Sequence, residues 1–371
     1  MTNYSIVHGL CVIPQGVLRI ENFAFYGCTD LTSIIIPDSV TSIGYRAFGR
    51  CHNLCSIVIP ASVTSIGNEA FHSCSSLSSI IIPEGVKSIG NLAFSRCSSL
   101  KSIILPDSIT NIGNGAFSFC SELSSIILSN KISNIGRWVF NECSKLTSIN
   151  IPNGVNTIGY RAFNCCISLA SIIIPNSVIR IDDHAFSDCA NLASINLPNS
   201  LKIIGEAAFS ACRKLNSIEI PQSVTYIGDS AFVCCSSLTS INLSNRINSI
   251  ESYTFFGCSA LTSFIIPSSV GFIGHDAFNF CDNLTSIYIP HSVTSIVDNA
   301  FENCKKLSSI YIDTKYPERC SITPNIFSNG VINSIILYVP VGTGEEYRNH
   351  HFFSKFKEII EYEPSNDNQH I

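Results

Sequence analysis

At 371 residues an ordinary globular chain would divide into two or three domains, yet only 13% of this one is charged and 46% is hydrophobic. A net charge of −5 leaves no basic footprint for nucleic acid and no polybasic signal for anionic lipid. No apolar run is long enough to span a bilayer, and the opening MTNYSIVHGLCVIPQGVLRI lacks the charged and apolar regions of a secretion signal, so the sequence predicts neither a membrane span nor, as numbered, a signal peptide.

Residues 1–7 are a lead-in. From His8 a partial coil begins, with Ile13, Pro14, Val17, Ile20, Phe25 and Cys28 in the positions that every later coil repeats. The first full copy is LTSIIIPDSVTSIGYRAFGRCHN, Leu31 to Asn53, and its Phe48 recurs every 23 residues from Phe25 to Phe301. A fixed period in the low twenties specifies a solenoid, in which each unit buries its apolar face only against its neighbours. The period therefore predicts a single repeat solenoid (repeat α/β, mostly β) of about fourteen coils, which the resemblance given below makes a leucine-rich repeat solenoid.

Each coil reads as three parts. A strand covers Leu31–Ile36, with Leu31, Ile34 and Ile36 inward and Pro37 ending the pairing. A return leg, Ser39–Gly44, points Val40 and Ile43 inward. A short segment, Tyr45–Cys51, places its Ala, Phe and Cys on one face of a helical or 3-10 turn. The Gly44 position is not an obligate left-handed one, because Asp182, Glu251 and Val297 occupy it elsewhere; close packing or a loose bend is expected instead. Ser129 and Ser244 replace the strand-ending proline, five coils apart.

After Cys304 the pattern loosens into a longer coil, Asp313–Asn329, around Phe327. A last strand is expected at Ile335–Pro340. Gly342–Tyr362 then turns charged and aromatic, helix-prone through Glu345–Phe356, as expected of an atypical terminal coil covering an open edge. The expected organisation is a solenoid over 1–340 and a cap with a polar tail over 341–371, frayed from Pro364.

Thirteen of the eighteen cysteines share one position, from Cys28 to Cys304. Stacked side chains with parallel Cβ vectors do not meet disulfide geometry, so a buried ladder of free thiols is expected, which implies reducing or anoxic surroundings. Cys11, Cys55, Cys165, Cys234 and Cys320 form no CxxC pair, and neither a metal nor a cofactor is predicted.

The repeat LTSIxIPxSVTSIGxxAFxxCxx resembles the leucine-rich repeats of the BspA-like, or Treponema pallidum, type. The ending LYVPVGTGEEYRNHHFFSKFKEIIE is similar to the cap of such proteins from Bacteroides-like bacteria, with the usual cap tryptophan replaced around His351–Phe353. The resemblance runs from about residue 8 to 362. It implies a surface-exposed or secreted protein of a family in which some members bind host proteins as adhesins.

One strand position faces outward, between the two inward isoleucines. It reads Val12, Ile35, Val58, Ile81, Ile104 and Ile127 in the first half and ends in Tyr288, Tyr311 and Tyr338. Asn150, Asn196, Glu219 and Asn242 interrupt it between. The apolar row reads as a protein-binding surface, or as β propensity on a sheet face or a surface covered by a neighbouring chain. The tyrosines read as a stack for sugars or a protein partner, or as cross-strand pairing that stabilises the sheet. The serine row from Ser33 to Ser309 fits a repeat requirement. No HExxH, phosphate-cradling loop or paired acidic ladder occurs, and the histidines build no face. The expectation is non-enzymatic recognition of a host or matrix protein, with a polysaccharide as a further ligand class. An intracellular scaffold, or a repeat region of a larger protein, is the alternative. Oligomeric state is left open.

Overall fold

The computed structural model describes residues 4–328 and 330–363; the polar tail expected from Pro364 lies outside the described residues. The chain is a parallel β-solenoid of about fifteen turns with a spacing of about 23 residues and little helix. It forms two compact units, Met1–Leu192 and Ala193–Ile371.

The first unit opens with a hairpin: Ile6–Val7 runs antiparallel to Leu10–Val12. Leu10–Val12 then pairs in parallel with Ser33–Ile35, bringing Cys11 opposite Ile34, and Ser33–Ile35 pairs with Ser56–Ile57. The return legs form their own parallel sheet, Arg19–Ile20, Ser42–Ile43, Ser65–Ile66, Ser88–Ile89 and Asn111–Ile112. Leu31, Ile34, Ile36, Val40, Ile43, Ala47, Phe48 and Cys51 are all buried, as the alternation requires.

The third leg departs from the expected helical or 3-10 turn. It is a chain of overlapping hydrogen-bonded turns in which successive N–H groups take alternate partners. Ala47, Gly49 and Cys51 donate within the coil, to the carbonyls of Gly44, Arg46 and Phe48. Arg46, Phe48 and Arg50 donate to the next coil, to Asn68, Ala70 and His72, at 3.0, 2.8 and 2.7 Å. A helix would consume every N–H internally and leave stacked coils unbonded along this side. The alternation requires a left-handed residue at the third position of two turns per coil. Arg46 and Arg50 accordingly take φ of 51° and 60°, and their equivalents do so along the chain. Such a residue is unfavourable by about 1–2 kcal/mol unless it is glycine, and the inter-coil bonds offset that.

Gly44 stays out of the left-handed region, and a Cβ there would stand 2.8 Å from the Ile20 carbonyl oxygen. Close packing is thus the reason for this glycine. Asp182 and Val297 keep the bond that Gly44 makes to the preceding coil, at 2.8 and 3.2 Å against 2.8 Å. Ser129 and Ser244, where proline was expected, are fully buried, and their hydroxyls accept from the N–H of Lys131 and Arg246 two residues on.

Phenylalanine rings stack in a column, 5.2 Å apart from Phe25 through Phe94 with planes within 6°. Beside them the thiols are free. From Cys51 on, thiols of this column donate to a phenylalanine carbonyl of the preceding coil, as Cys51 does to Phe25 at 2.9 Å and Cys74 to Phe48 at 3.1 Å. Burial pushes the Cys51 thiol up to about 12, which suppresses the reactive thiolate.

In the second unit the strand face ends in a five-stranded parallel sheet, Ser263–Ile265, Ser286–Ile289, Ser309–Ile312, Ile336–Pro340 and Glu358–Tyr362. Ile336–Pro340 is therefore not the last strand. The helix-prone stretch is also shorter than expected: an α-helix covers only Gly344–Asn349 and a 3-10 turn Phe353–Lys355. The segment spends its remaining residues returning to the sheet. Tyr347 is fully buried and its hydroxyl donates to the Thr314 carbonyl at 2.9 Å. Phe352 and Phe353 are buried with it. The Glu361 carboxylate accepts from the N–H groups of Gly342 and Gly344 at 3.1 and 2.8 Å, which lowers its pKa.

Candidate ligand-binding face

In the first unit the strand pleat turns one residue per coil outward, between two buried isoleucines. Neighbouring coils stand about 4.8 Å apart, and the pairing sets Val12 against Ile35, Val58 against Ile81, and Ile104 against Ile127. These side chains form one row. Ile35, Val58, Ile81, Ile104 and Ile127 are 55–77% exposed, and Val7, Leu10 and Val12 extend the row into the opening hairpin. Ser33, Ser56, Ser79, Ser102 and Ser125 lie beside it, exposed or half-buried.

A feature that the outward-row reading missed borders this stripe. Three residues beyond Ile35, Ile81 and Ile104 the chain places Asp38, Glu84 and Asp107, all exposed. Among the described residues none of the three is ion-paired. The signal was present in the repeat as acids immediately after the strand-ending proline, a position that looks like ordinary turn chemistry when coils are read singly.

In the second unit the same outward position carries Asn196, Glu219 and Asn242, all exposed, then Ile265. Tyr288, Tyr311 and Tyr338 follow, and all three are half-buried. The rings of Tyr311 and Tyr338 stack at 4.4 Å with planes 9° apart, and Tyr362 from the last strand meets both edge-on, at 5.6 and 6.4 Å. The Tyr288 hydroxyl bonds to the Asp313 carboxylate; burial first, then that negative charge, raises its pKa. His291 Nδ1 lies 3.5 Å from the same carboxylate. The structure thus brings together the three tyrosines predicted from the sequence and adds Tyr362, Asp313 and His291 to them.

Elsewhere, His350 packs against His351 and Phe353 at 4.5 and 4.9 Å, and burial, then His351, lowers its pKa. Among the described residues no three His, Cys, Asp or Glu side chains gather as metal ligands. No helix among them is long and apolar enough to cross a membrane.

A family model for the BspA-type leucine-rich repeat region matches residues 9–123, 69–193, 156–282 and 225–355. The chain belongs to the BspA-type leucine-rich repeat family. Among solved structures, a leucine-rich repeat protein of Bacteroides ovatus is 33% identical with a TM-score of 0.81, covering 95% of this chain and 92% of that one. A leucine-rich cell-surface protein of Faecalibacterium prausnitzii is 30% identical with a TM-score of 0.50, over 83% of this chain and 88% of its own. The pneumococcal vaccine antigen PcpA, 21% identical with a TM-score of 0.56 over 97% and 96% of the two chains, shares the fold. No curated protein matches. In this BspA-type chain the inward positions repeat closely from coil to coil, and the outward rows vary.

Proposed function

We propose that this BspA-type chain recognises a protein partner through the strand face of its first unit, acting at the cell surface as an adhesin-like protein. The observation that carries the reading is the uninterrupted row of exposed Val and Ile from Val12 to Ile127. Large contiguous apolar patches on a soluble surface mark interaction sites. Asp38, Glu84 and Asp107 along one side, none of them ion-paired among the described residues, favour a partner with apolar anchors and a basic rim, by charge complementarity. The family is one of surface-type repeat proteins, and the Faecalibacterium relative is a cell-surface protein; both support the placement. In the second unit Tyr288, Tyr311 and Tyr338 offer half-buried ring edges and hydroxyls as a further contact, with a host or matrix protein as the expected ligand.

The test is binding of the purified chain to a panel of extracellular-matrix proteins, beside an Ile81→Lys/Ile104→Lys variant and a Tyr288/Tyr311/Tyr338→Ala variant. Saturable binding that falls at least thirtyfold in the lysine variant, about 2 kcal/mol as for an interface hot spot, supports the reading. Binding indifferent to both variants, or none to any partner, removes it.

A second reading, an intracellular scaffold, is favoured by the free thiols, of which Cys55 is exposed. Protease shaving of intact cells separates the two: a chain that survives shaving is inside.

A further inference from the structure

A second surface, on the turn side of the first unit, carries an independent inference. A groove of about 760 Å3 runs across successive coils from His52 to Ile167. It lies above the buried cysteine column, because its two walls are the residues immediately before and after those cysteines. One wall is a run of half-buried serines, Ser75, Ser98, Ser121 and Ser144. Each hydroxyl donates to the carbonyl one coil back, at 3.3, 3.5, 3.5 and 3.2 Å. These are long bonds, and they leave the oxygen lone pairs as acceptors. The facing wall offers three different groups in consecutive coils: Arg96, Phe119 and Glu142. The Arg96 guanidinium lies 4.3 Å from the Phe119 ring centre, so a planar donor fork and an apolar ring are held together. Among the described residues neither Arg96 nor Glu142 is ion-paired.

We infer that this groove binds a neutral, linear polysaccharide lying along the stacking direction. Three properties point to that ligand class. The walls present hydroxyl, carboxylate and guanidinium groups around one aromatic ring, which matches a ligand made of hydroxyls with apolar ring faces. The opposite charges of Arg96 and Glu142 cancel within the groove, so a polyanion meets a carboxylate and a polycation meets a guanidinium. The third is period. An extended peptide repeats its same-face side chains about every 6.6 Å, out of step with coils about 4.8 Å apart. A linear pyranose chain advances by about one coil per ring and stays in step with the serines.

Phe119 supplies the decisive variant. Its φ is 60°, and two of the equivalent places in other coils are glycines, Gly27 and Gly257, with φ of 73° and 71°. Phe119→Gly therefore removes the ring while relieving the backbone. The experiment is calorimetric titration of the full chain with neutral hexasaccharides of the cello, xylo, manno and laminari types, using wild type, Phe119→Gly and Glu142→Gln. The expected result is saturable binding of at least one hexasaccharide, weakened tenfold or more by Phe119→Gly and severalfold by Glu142→Gln, with melting temperatures of both variants at or above wild type. No binding to any of the four, or equal binding by wild type and Phe119→Gly, overturns the inference. So does binding confined to sulphated versions of the same sugars. The groove shares no residue with the proposed protein-binding stripe, so Ile81→Lys/Ile104→Lys is expected to leave this titration unchanged.

Discussion

The outward strand positions of the two units differ more than anything inside them. Residues 1–192 carry eleven basic and eleven acidic side chains, and their outward row is almost wholly Val and Ile. Residues 193–371 carry eleven basic and sixteen acidic ones, so the whole net charge of −5 falls there, and their outward row is Asn, Glu and Tyr with Ile265 among them. Inside, both units repeat the same Leu, Ile, Phe and Cys columns. A solenoid coil must match its neighbours only where it is buried. The outward position is free of that demand, and there the chain has written two different surfaces.

The strongest attack on this comparison is at the shared interior. Phe117→Ala and Phe278→Ala each remove a fully buried ring from the column, and each is expected to cost about 3–5 kcal/mol. Chemical denaturation of the two variants measures this, and clearly unequal losses would mean that the interiors are not equivalent. At the outward row the units should part company. Ile104→Asn removes an exposed side chain and is expected to change stability by less than about 0.5 kcal/mol. Tyr311→Ala breaks a half-buried stack and should cost about 1–2 kcal/mol, part of it from the ring pair itself. Equal effects would erase the distinction.

Smaller effects sharpen it further. The Tyr362 hydroxyl is buried without a hydrogen-bond partner, so Tyr362→Phe is expected to stabilise the second unit by about 1 kcal/mol, read as a rise in melting temperature. The smallest effect is on pH dependence. Glu361 is held below the ordinary glutamate range by the Gly342 and Gly344 N–H groups. A depressed folded pKa contributes stability that is fully present above the unfolded value, near pH 4.3, and is lost as the pH falls through the folded value. Hydrogen exchange around residues 342–348 should therefore quicken below about pH 4. Glu361→Gln removes that pH step, while exchange in residues 31–127 stays unaffected by it.

Much of this architecture was legible in the sequence because a fixed period assigns every residue a place in its coil. The inward columns, the outward row and the free thiols all followed from counting. The turn leg did not, because Ala47, Phe48 and Cys51 share one face in a helical turn and in stacked turns alike. What separates the two is the partner of the intervening N–H groups, which lies 22 residues away, as between Arg46 and Asn68. Glycine would have flagged the left-handed positions, but other residues, Arg, Glu, Leu and Trp among them, together stand there far more often. The burial of the tyrosines was hidden for another reason. Tyr362 reaches them from a strand beyond the point where the register had slipped, so no count of 23 leads to it.

The alternating donors of the turn leg have a consequence for how such a chain is made. Along the return leg a later coil donates back to an earlier one, as Thr41 does to Leu18. Along the turn leg an earlier coil donates forward, as Arg46 does to Asn68. A coil just leaving the ribosome therefore finds acceptors waiting for it on one side, and on the other leaves donors of its own exposed to water until its successor arrives. Growth is templated and unfinished at every step until a segment closes the series of open donors: among the described residues of the second unit, residues 325–328 receive the last forward donors of the turn leg, from Asn299, Phe301 and Asn303.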